Sequence, residues 1–237
     1  MSDPVSAPLS ISIVVPVLNE AAEIVVALSA LQTLRTGGAE LIVADGGSND
    51  ATVALATPLA DQVIAAPRGR ASQMNAGAGA ALGDVLLFLH ADSALPDGAA
   101  TLVAEALRGG RAWGRFDVRI EGRSIWLPVV AALMNRRSRL TGIATGDQAM
   151  FVTGQAFRAV GGFPDIPLME DIALSQRLLK YSRPACLTAR ATTSGRRWER
   201  HGVWRTILKM WRLRLRFFLG ADPRQLAREY GYVPRES

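Results

Sequence analysis

The sequence predicts an α/β protein: a mostly parallel sheet with helices on both faces. Three observations carry this. Four short runs in the first hundred residues are nearly continuous in apolar and β-branched residues, as strands covered on both faces are. Each run is followed by a stretch with helical spacing or helix-forming composition. With 237 residues, 49% hydrophobic and 20% charged, the chain can bury a sizeable core.

Ile11 to Pro16 opens the series as a buried strand, short, β-branched and closed by proline. Glu20 to Leu34 sets Ile24, Leu28 and Leu31 at helical spacing, and Gly37-Gly38 stops it. Glu40 to Ala44 is a second strand, ended by Asp45-Gly46-Gly47, and Asn49 or Asp50 caps a helix running to about Ala56. Gln62 to Ala66 is a short third strand and Arg70 to Leu82 an Ala- and Gly-rich helix. Val85 to Leu89 is a fourth strand, bounded by His90-Ala91-Asp92. The later chain is less regular. Arg115 to Ile120 alternates like an edge strand, Ile125 to Leu140 is helical with Arg136, Arg137 and Arg139 at its end, Gln148 to Thr153 is a strand and Glu170 to Tyr181 a helix. Val203 to Leu219 is a split helix: Trp204, Ile207, Leu208, Trp211, Leu215 and Phe218 on one face, Arg205, Lys209, Arg212 and Arg216 on the other. No repeat or linker interrupts the chain, which reads as one domain of two halves.

Composition excludes several classes. The one cysteine, Cys186, rules out a disulfide framework or a Cys-rich zinc site and reads as a small buried residue. From Arg190 onward lie 12 of the 27 basic residues but only 4 of the 21 acidic ones, so that end carries +8 and the remainder −2. Such a local field suits phosphates, whether of a nucleotide, a lipid headgroup or a nucleic acid. Met1 to Ser10 is polar, with no basic stretch before the apolar run at Ile11, so no secretory signal is read there. No run reaches the roughly 20 uncharged apolar residues of a membrane span. The expectation is a cytoplasmic protein, with peripheral contact at the inner face of a membrane left open.

In open parallel sheets ligands bind beyond the carboxyl ends of the strands. Glu20 follows the first strand, Asp45 the second, Arg68 and Arg70 the third and Asp92 the fourth, so acids and arginines converge on one edge. Pro16-Val17-Leu18-Asn19-Glu20 stands where a dinucleotide site would carry Gly-x-Gly-x-x-Gly. A Gly-x-x-x-x-Gly-Lys-Ser/Thr loop and a Gly-x-Ser-x-Gly elbow are absent, and two histidines, His90 and His201, give a hydrolase triad little support. What remains is a set of carboxylates in loop or strand-end positions: Asp45, Asp50, Asp92, Asp147, Glu170 and Asp171. Carboxylates accept from a base N–H or ribose hydroxyls, or hold a hard divalent cation, and arginines hold a diphosphate.

Taken in order, these motifs resemble family 2 glycosyltransferases. Pro16-Val17-Leu18-Asn19-Glu20, Asp45-Gly46-Gly47-Ser48-Asn49-Asp50 and the strand ending in an Asp-bearing triplet resemble the family's nucleotide-sugar half. Gly146-Asp147-Gln148, Gly161-Gly162-Phe163 and Met169-Glu170-Asp171 are similar to its acceptor-side pattern, and Ser194-Gly195-Arg196-Arg197-Trp198 to its late arginine–tryptophan element. The match runs from about Ile11 to Tyr230. Each motif is weak alone; their order is specific. The short length also resembles a bacterial subgroup found near radical-SAM genes. The resemblance implies a GT-A fold with a Rossmann-like sheet and a C-terminal amphipathic helix. It divides the chain into a nucleotide-sugar half at about 11–95, an acceptor half at about 96–200 and a basic helical segment at about 201–237. It further implies a nucleotide-diphosphate-sugar donor, UDP-linked before GDP-linked, a hydroxyl acceptor that can be lipid-linked, Mg²⁺ or Mn²⁺, and inversion at the anomeric carbon. By position, Pro16, Glu20, Asp45, Arg70, Asp92 and Asp147 would serve the donor, with Glu20 and Asp45 at ribose and base. Asp92 and His90 would hold metal. Gln148, Glu170, Arg197 and Trp198 would face acceptor or phosphate, and Asp171 would be the general base, aided by the like charge of Glu170.

One departure stands out: the family's Asp-x-Asp is His90-Ala91-Asp92 here, and a neutral imidazole favours Mn²⁺ over Mg²⁺. Several candidates also have plain structural readings. Glu20 and Asp50 sit where acids favour helix N-termini, Asp45 where turns want Asp, and Trp198 where packing would suffice. The last helix either packs its Trp/Leu face on the body or lies in a membrane interface with its arginines towards anionic headgroups. Nucleic acid is set aside, since the helix carries no recognised binding motif. Three functions follow: an inverting glycosyltransferase; a non-catalytic domain of the same fold recruited to a membrane or partner; and a nucleotidyltransferase, for which the Gly-rich, Lys-bearing loop after the first strand is missing.

Overall fold

The computed structural model describes residues 9–232. The start of the polar N-terminal stretch, read as lacking a signal, and the last basic residue, Arg235, lie outside them. One eight-stranded sheet runs through both halves in the order β3-β2-β1-β4-β7-β6-β8-β5. The strands are β1 (Ile11–Val17), β2 (Glu40–Asp45), β3 (Gln62–Ala65), β4 (Val85–Phe88), β5 (Ser93–Ala94), β6 (Trp113–Glu121), β7 (Met150–Thr153) and β8 (Ala185–Ser194). The first four are parallel, β7 runs against β4 and β6, β8 is parallel to β6, and β5 runs against β8. Six strands therefore share one direction, as the sequence predicts.

Helices cover both faces. The first-half helices are α1 (Ile24–Ala30), α2 (Gln32–Thr36), α3 (Thr52–Ala56), α4 (Arg70–Ala80) and α5 (Ala99–Arg108). The second half adds α6 (Leu127–Thr141), α7 (Gly154–Ala159), α8 (Glu170–Leu179), α9 (Arg196–His201), α10 (Val203–Phe218) and α11 (Pro223–Tyr230). Strand alternation splits the core. Ile11, Ile13, Val15 and Val17 pack with Ile24 and Leu28 of α1 and Val103 of α5. Val14, Leu86 and Phe88 pack on the other face with Met74 of α4, Phe157 of α7 and Leu174 of α8. Gly77 lets α4 lie close on β1: a Cβ there would stand 2.3 Å from Val14 Cγ1. This helix sets the sheet edge where the third-strand arginines emerge.

Several expectations are corrected. The helix expected over Glu20–Leu34 breaks at Leu31 into α1 and α2, because Leu31 caps both with its backbone. Ala51, not Asn49 or Asp50, occupies the N-cap of α3, although Asp50 Oδ1 accepts from Thr52 N at 3.0 Å. The expected edge strand at Arg115–Ile120 lies inside the sheet between β7 and β8. Its alternation misleads because Arg115 and Asp117 are buried and paired with each other. Arg115 also donates to Ser138 Oγ (3.1 Å) and Asn135 O (3.2 Å), and Arg139 donates to both oxygens of Asp117 (2.7 and 3.0 Å), anchoring α6 to β6. Cys186 is partly exposed rather than buried. α10 does not pack its Trp/Leu face on the body: Val203, Thr206 and Leu213 point inward, while Trp204, Leu208, Trp211, Leu215 and Phe218 are exposed. Ile207 parts from that apolar face and joins Val203, Trp198 and α6 in a separate cluster.

Candidate active site

The carboxyl ends of β1, β2 and β4 meet the start of α4 on one edge, and the loops there are tied to one another. Asp45, the buried last residue of β2, accepts from Gly47 N (3.0 Å), Ser48 N (3.0 Å) and Ser48 Oγ (2.5 Å). Ser48 Oγ in turn accepts from Asn19 N at 2.9 Å, and Asn49 N donates to Asn19 Oδ1 at 2.8 Å. Thr52 Oγ1 accepts from Glu20 N (2.8 Å) and Asp50 Oδ2 from Ala21 N (3.2 Å). Hydrogen bonds from Thr52 hold Asp50 below the usual carboxylate range. The loop after β1 is therefore fixed by the loop after β2. Gln73 of α4 completes the tie, donating to Val17 O (2.7 Å) and Ala44 O (2.9 Å). Pro16 sits inside β1 opposite Ala44 and shapes the strand end.

Across the edge the acids are less satisfied. His90 is 16% exposed and its Nδ1 lies 3.8 Å from Asp147 Oδ1. A Cβ on Gly146 would meet the His90 ring at 2.5 Å, so glycine is what admits the imidazole. Burial, followed by the Arg70 charge, pushes the His90 pKa down and keeps the ring neutral. Burial raises Asp147, with Asp92 adding to the rise, and burial likewise raises Glu20, which Asp92 also pushes up. The neighbourhood of Asp92 thus joins the two halves of the site. Asp92 itself is exposed.

Asp171 heads α8. Its Oδ2 accepts from Gly146 N (2.9 Å) and its Oδ1 from Ile172 N (2.7 Å). Glu170 turns inward instead: its side chain is 5% exposed, its Oε1 lies 3.7 Å from Arg70 Nε, and burial raises its pKa to about 7 despite the arginine. Gln148 is fully buried and closes a capping box with Thr145 around the turn that bears Asp147. Arg197 lies over the Tyr230 ring at 4.7 Å, and burial, with Arg70 next, lowers its pKa while Asp147 and Asp92 oppose the fall. Trp198 is apart from the acids, packed with Leu127, Val130 and Val203.

Two features escaped the sequence reading. Arg137 of α6 has Nε and Nη2 buried without a hydrogen-bond partner among the described residues. Burial lowers its pKa, and the Asp171 charge is the strongest opposing influence. Its place in an Arg-Arg-x-Arg run gave no sign of which arginine turns inward. Secondly, the three non-glycine residues with positive φ among the described residues, Asn19, Ala149 and Met169, all border the site. Left-handed backbone costs an ordinary residue about 1–2 kcal/mol, which surrounding structure must offset. Met169 (φ 68°) directly precedes Glu170 and Asp171.

No three His, Cys, Asp or Glu side chains among the described residues form a ready metal cage. One close pair of suitable donors is present: His90 Nδ1 and Asp147 Oδ1 lie 3.8 Å apart, a nitrogen and a carboxylate of the kind a divalent ion takes beside phosphate oxygens.

Solved structures share this fold. A fragment of Staphylococcus aureus TarS superposes with a TM-score of 0.63 at 16% identity, over 79% of this chain and 61% of that one. The mannosyltransferase PcManGT from Pyrobaculum calidifontis, in complex with GDP-Man and Mn²⁺, gives 0.58 at 19% identity, over 79% and 57%. Glucosyl-3-phosphoglycerate synthase from Mycobacterium tuberculosis, with Mn²⁺, UDP and glucosyl-3-phosphoglycerate, gives 0.54 at 22% identity, over 78% and 71%. The chain thus spans about three fifths of the TarS fragment it matches. No curated protein matches it in sequence at a significant level. The architecture is that of GT-A glycosyltransferases. Residues 12–160, from β1 through α7 and well over half of the chain, match the family described as Glycosyl transferase family 2, and the chain belongs to that family.

Proposed function

We propose that the protein is an inverting glycosyltransferase that moves a sugar from a nucleoside-diphosphate sugar to an acceptor hydroxyl. The observation that carries this is the hydrogen bond from Gly146 N to Asp171: it holds a partly buried carboxylate on the turn that bears Asp147. In this reading residues 11–95 take the donor and 96–200 the acceptor. Asp45, Glu20 and the loop beside Pro16 face base and ribose, and Arg70 and Arg197 face the diphosphate. Asp92, Asp147 and His90 would hold a divalent cation, which offsets charge on the leaving diphosphate.

Asp171 takes the proton of the acceptor hydroxyl, whose oxygen forms the new bond to the anomeric carbon as the bond to the diphosphate oxygen breaks. One displacement inverts the centre. Asp171 suits the role better than Glu170, because Glu170 is buried against Arg70 while Asp171 keeps lone pairs free on both oxygens. UDP-sugars are the first donors to test and GDP-sugars the second, since similar structures hold UDP-GlcNAc, UDP or GDP-Man. For the acceptor we favour a hydroxyl on a lipid-linked molecule, because α10 packs Leu213 against Met169 and Ile172, which flank the acidic pair.

Calorimetric titration with UDP and GDP, with Mn²⁺, Mg²⁺ or EDTA, tests the reading alongside D92N. Metal-dependent binding to one nucleotide, lost in D92N, supports it; binding to neither overturns it. The histidine in place of the first Asp-x-Asp acid favours a second reading, a non-catalytic domain recruited by its basic helix. Vesicle binding with no turnover on any donor would select that reading.

A further inference from the structure

The exposed face of α10 is an unbroken apolar stripe. Trp204, Leu208, Trp211, Leu215 and Phe218 follow one another at steps of four and three residues and are between 54% and 65% exposed. At 1.5 Å per residue the stripe is about 21 Å long. It is not isolated. Trp126 at the start of α6 meets Trp204 edge to face, with centroids 5.0 Å apart. From there Ile125, Val129, Leu133 and Leu140 continue the exposed apolar surface along α6.

Charge defines the occupant. Neither α6 nor α10 contains an acidic residue. On α10 Arg205, Lys209, Arg212 and Arg216 follow one flank of the stripe; Arg212 and Arg216 share Glu229 of α11, so two of the four charges on that flank are offset by one carboxylate. Exposed Arg123, Arg136, Arg200 and Arg205 make no ion pair among the described residues. An apolar stripe with tryptophans, edged by arginines, matches the two layers of an anionic bilayer surface: acyl chains below, phosphates beside. A second copy fits poorly, because an isologous pairing sets each cationic flank against its own image.

We propose that α6 and α10 together form a docking surface for an anionic lipid bilayer, with the Trp126–Trp204 pair at its centre. The surface goes beyond sugar transfer and stands without it. The inward faces of the same two helices reach the site: Leu213 of α10 packs on Met169 and Ile172, and Arg137 of α6 is buried under the influence of Asp171. A docked bilayer is therefore about one helix diameter, some 10 Å, from the acidic pair.

The test is co-sedimentation of the full chain with vesicles of phosphatidylcholine alone or with about one third phosphatidylglycerol. The expected result is binding to the anionic vesicles, weakened at high salt, with a blue-shifted tryptophan emission. W204E/W211E should lower binding by at least about tenfold. Charge loss is read separately: R136Q/R205Q should lower it by several fold for each charge removed. Nucleotide binding by calorimetry should be unchanged in both variants, which shows that they fold and separates this surface from the active site. Absence of binding to anionic vesicles overturns the proposal. So does a concentration-dependent dimer that W204E/W211E abolishes, since a second copy would then cover the face.

Discussion

The two sides of the site are built on opposite principles. On the proposed donor side the acids of the turn after β2 are spoken for: Asp45 accepts three hydrogen bonds from its own turn, and Asp50 is held low by Thr52. On the proposed acceptor side burial raises Asp147 and Glu170, keeps His90 neutral and leaves two donor atoms of Arg137 without partners among the described residues. On the proposed reading the first side is a rigid mould for the donor. The second stores unsatisfied polar groups where charge moves during a reaction, which is where strain and perturbed acids belong.

The strongest way to test this contrast is D171N. Asparagine keeps an acceptor for Gly146 N but cannot take a proton, so kcat should fall by about 10²–10⁴-fold with donor affinity within a few fold. Steady-state kinetics beside calorimetry reads both. Equal losses in binding and turnover would place Asp171 in the donor mould instead. On the donor side D45A should do the reverse. It leaves the N–H groups of Gly47 and Ser48 without their acceptor, at a cost of about 1–3 kcal/mol in stability, and weakens nucleotide binding with it. Urea unfolding and nucleotide titration of the same sample give both numbers. A stable D45A with intact binding would show that the turn needs no such tie.

The contrast also explains what the sequence could reveal. The first half was legible because its signals are local: ISIVV makes a strand, Asp-Gly-Gly makes a turn, and the acids stand beside the elements that place them. Their hydrogen bonds fall mostly within three residues or between neighbouring loops. The second half depends on distant pairs. Arg115 and Asp117 looked like the wet face of an edge strand because their partners, Ser138, Asn135 and Arg139, come from a helix some twenty residues away. β8 carries Cys186, Thr188, Arg190 and Thr192 without a clean period, so no strand was read there. The two halves of α10 amphipathicity were visible, but which face would be buried was not, since the inward residues Val203, Thr206 and Leu213 do not form its most apolar stripe.

A third test exploits Glu170. Its pKa rises from 4.5 to about 7, chiefly through burial. Between those values the folded state keeps a proton that the unfolded state releases. Stability should therefore be full below about pH 4.5, fall as pH rises towards 7, and level off above. The shift corresponds to at most about 3 kcal/mol. E170Q should flatten that slope, read as unfolding free energy at pH 5 and pH 8. A wild-type protein equally stable at both would show that Arg70 compensates the buried charge fully.

The smallest effect carries the sharpest sign. If Arg137 were part of a structural ion pair, like Arg139 on Asp117, removing it would destabilise the fold. Its Nε and Nη2 are instead buried without partners among the described residues, so the fold bears their desolvation cost with no hydrogen bond there in return. R137M keeps the length and apolar stem of the side chain while deleting the orphaned donors. It should leave stability unchanged or raise it by about 1 kcal/mol, while lowering kcat/KM, because a guanidinium set in the field of Asp171 is then missing when negative charge arrives. Thermal unfolding and steady-state kinetics on one preparation separate the cases. A stabilised but inactive R137M would mark the acceptor side as a place where the fold gives up stability to hold an unpaired charge ready. A destabilised R137M of normal activity would move Arg137 to the scaffold and leave the contrast resting on Asp147, His90 and Glu170.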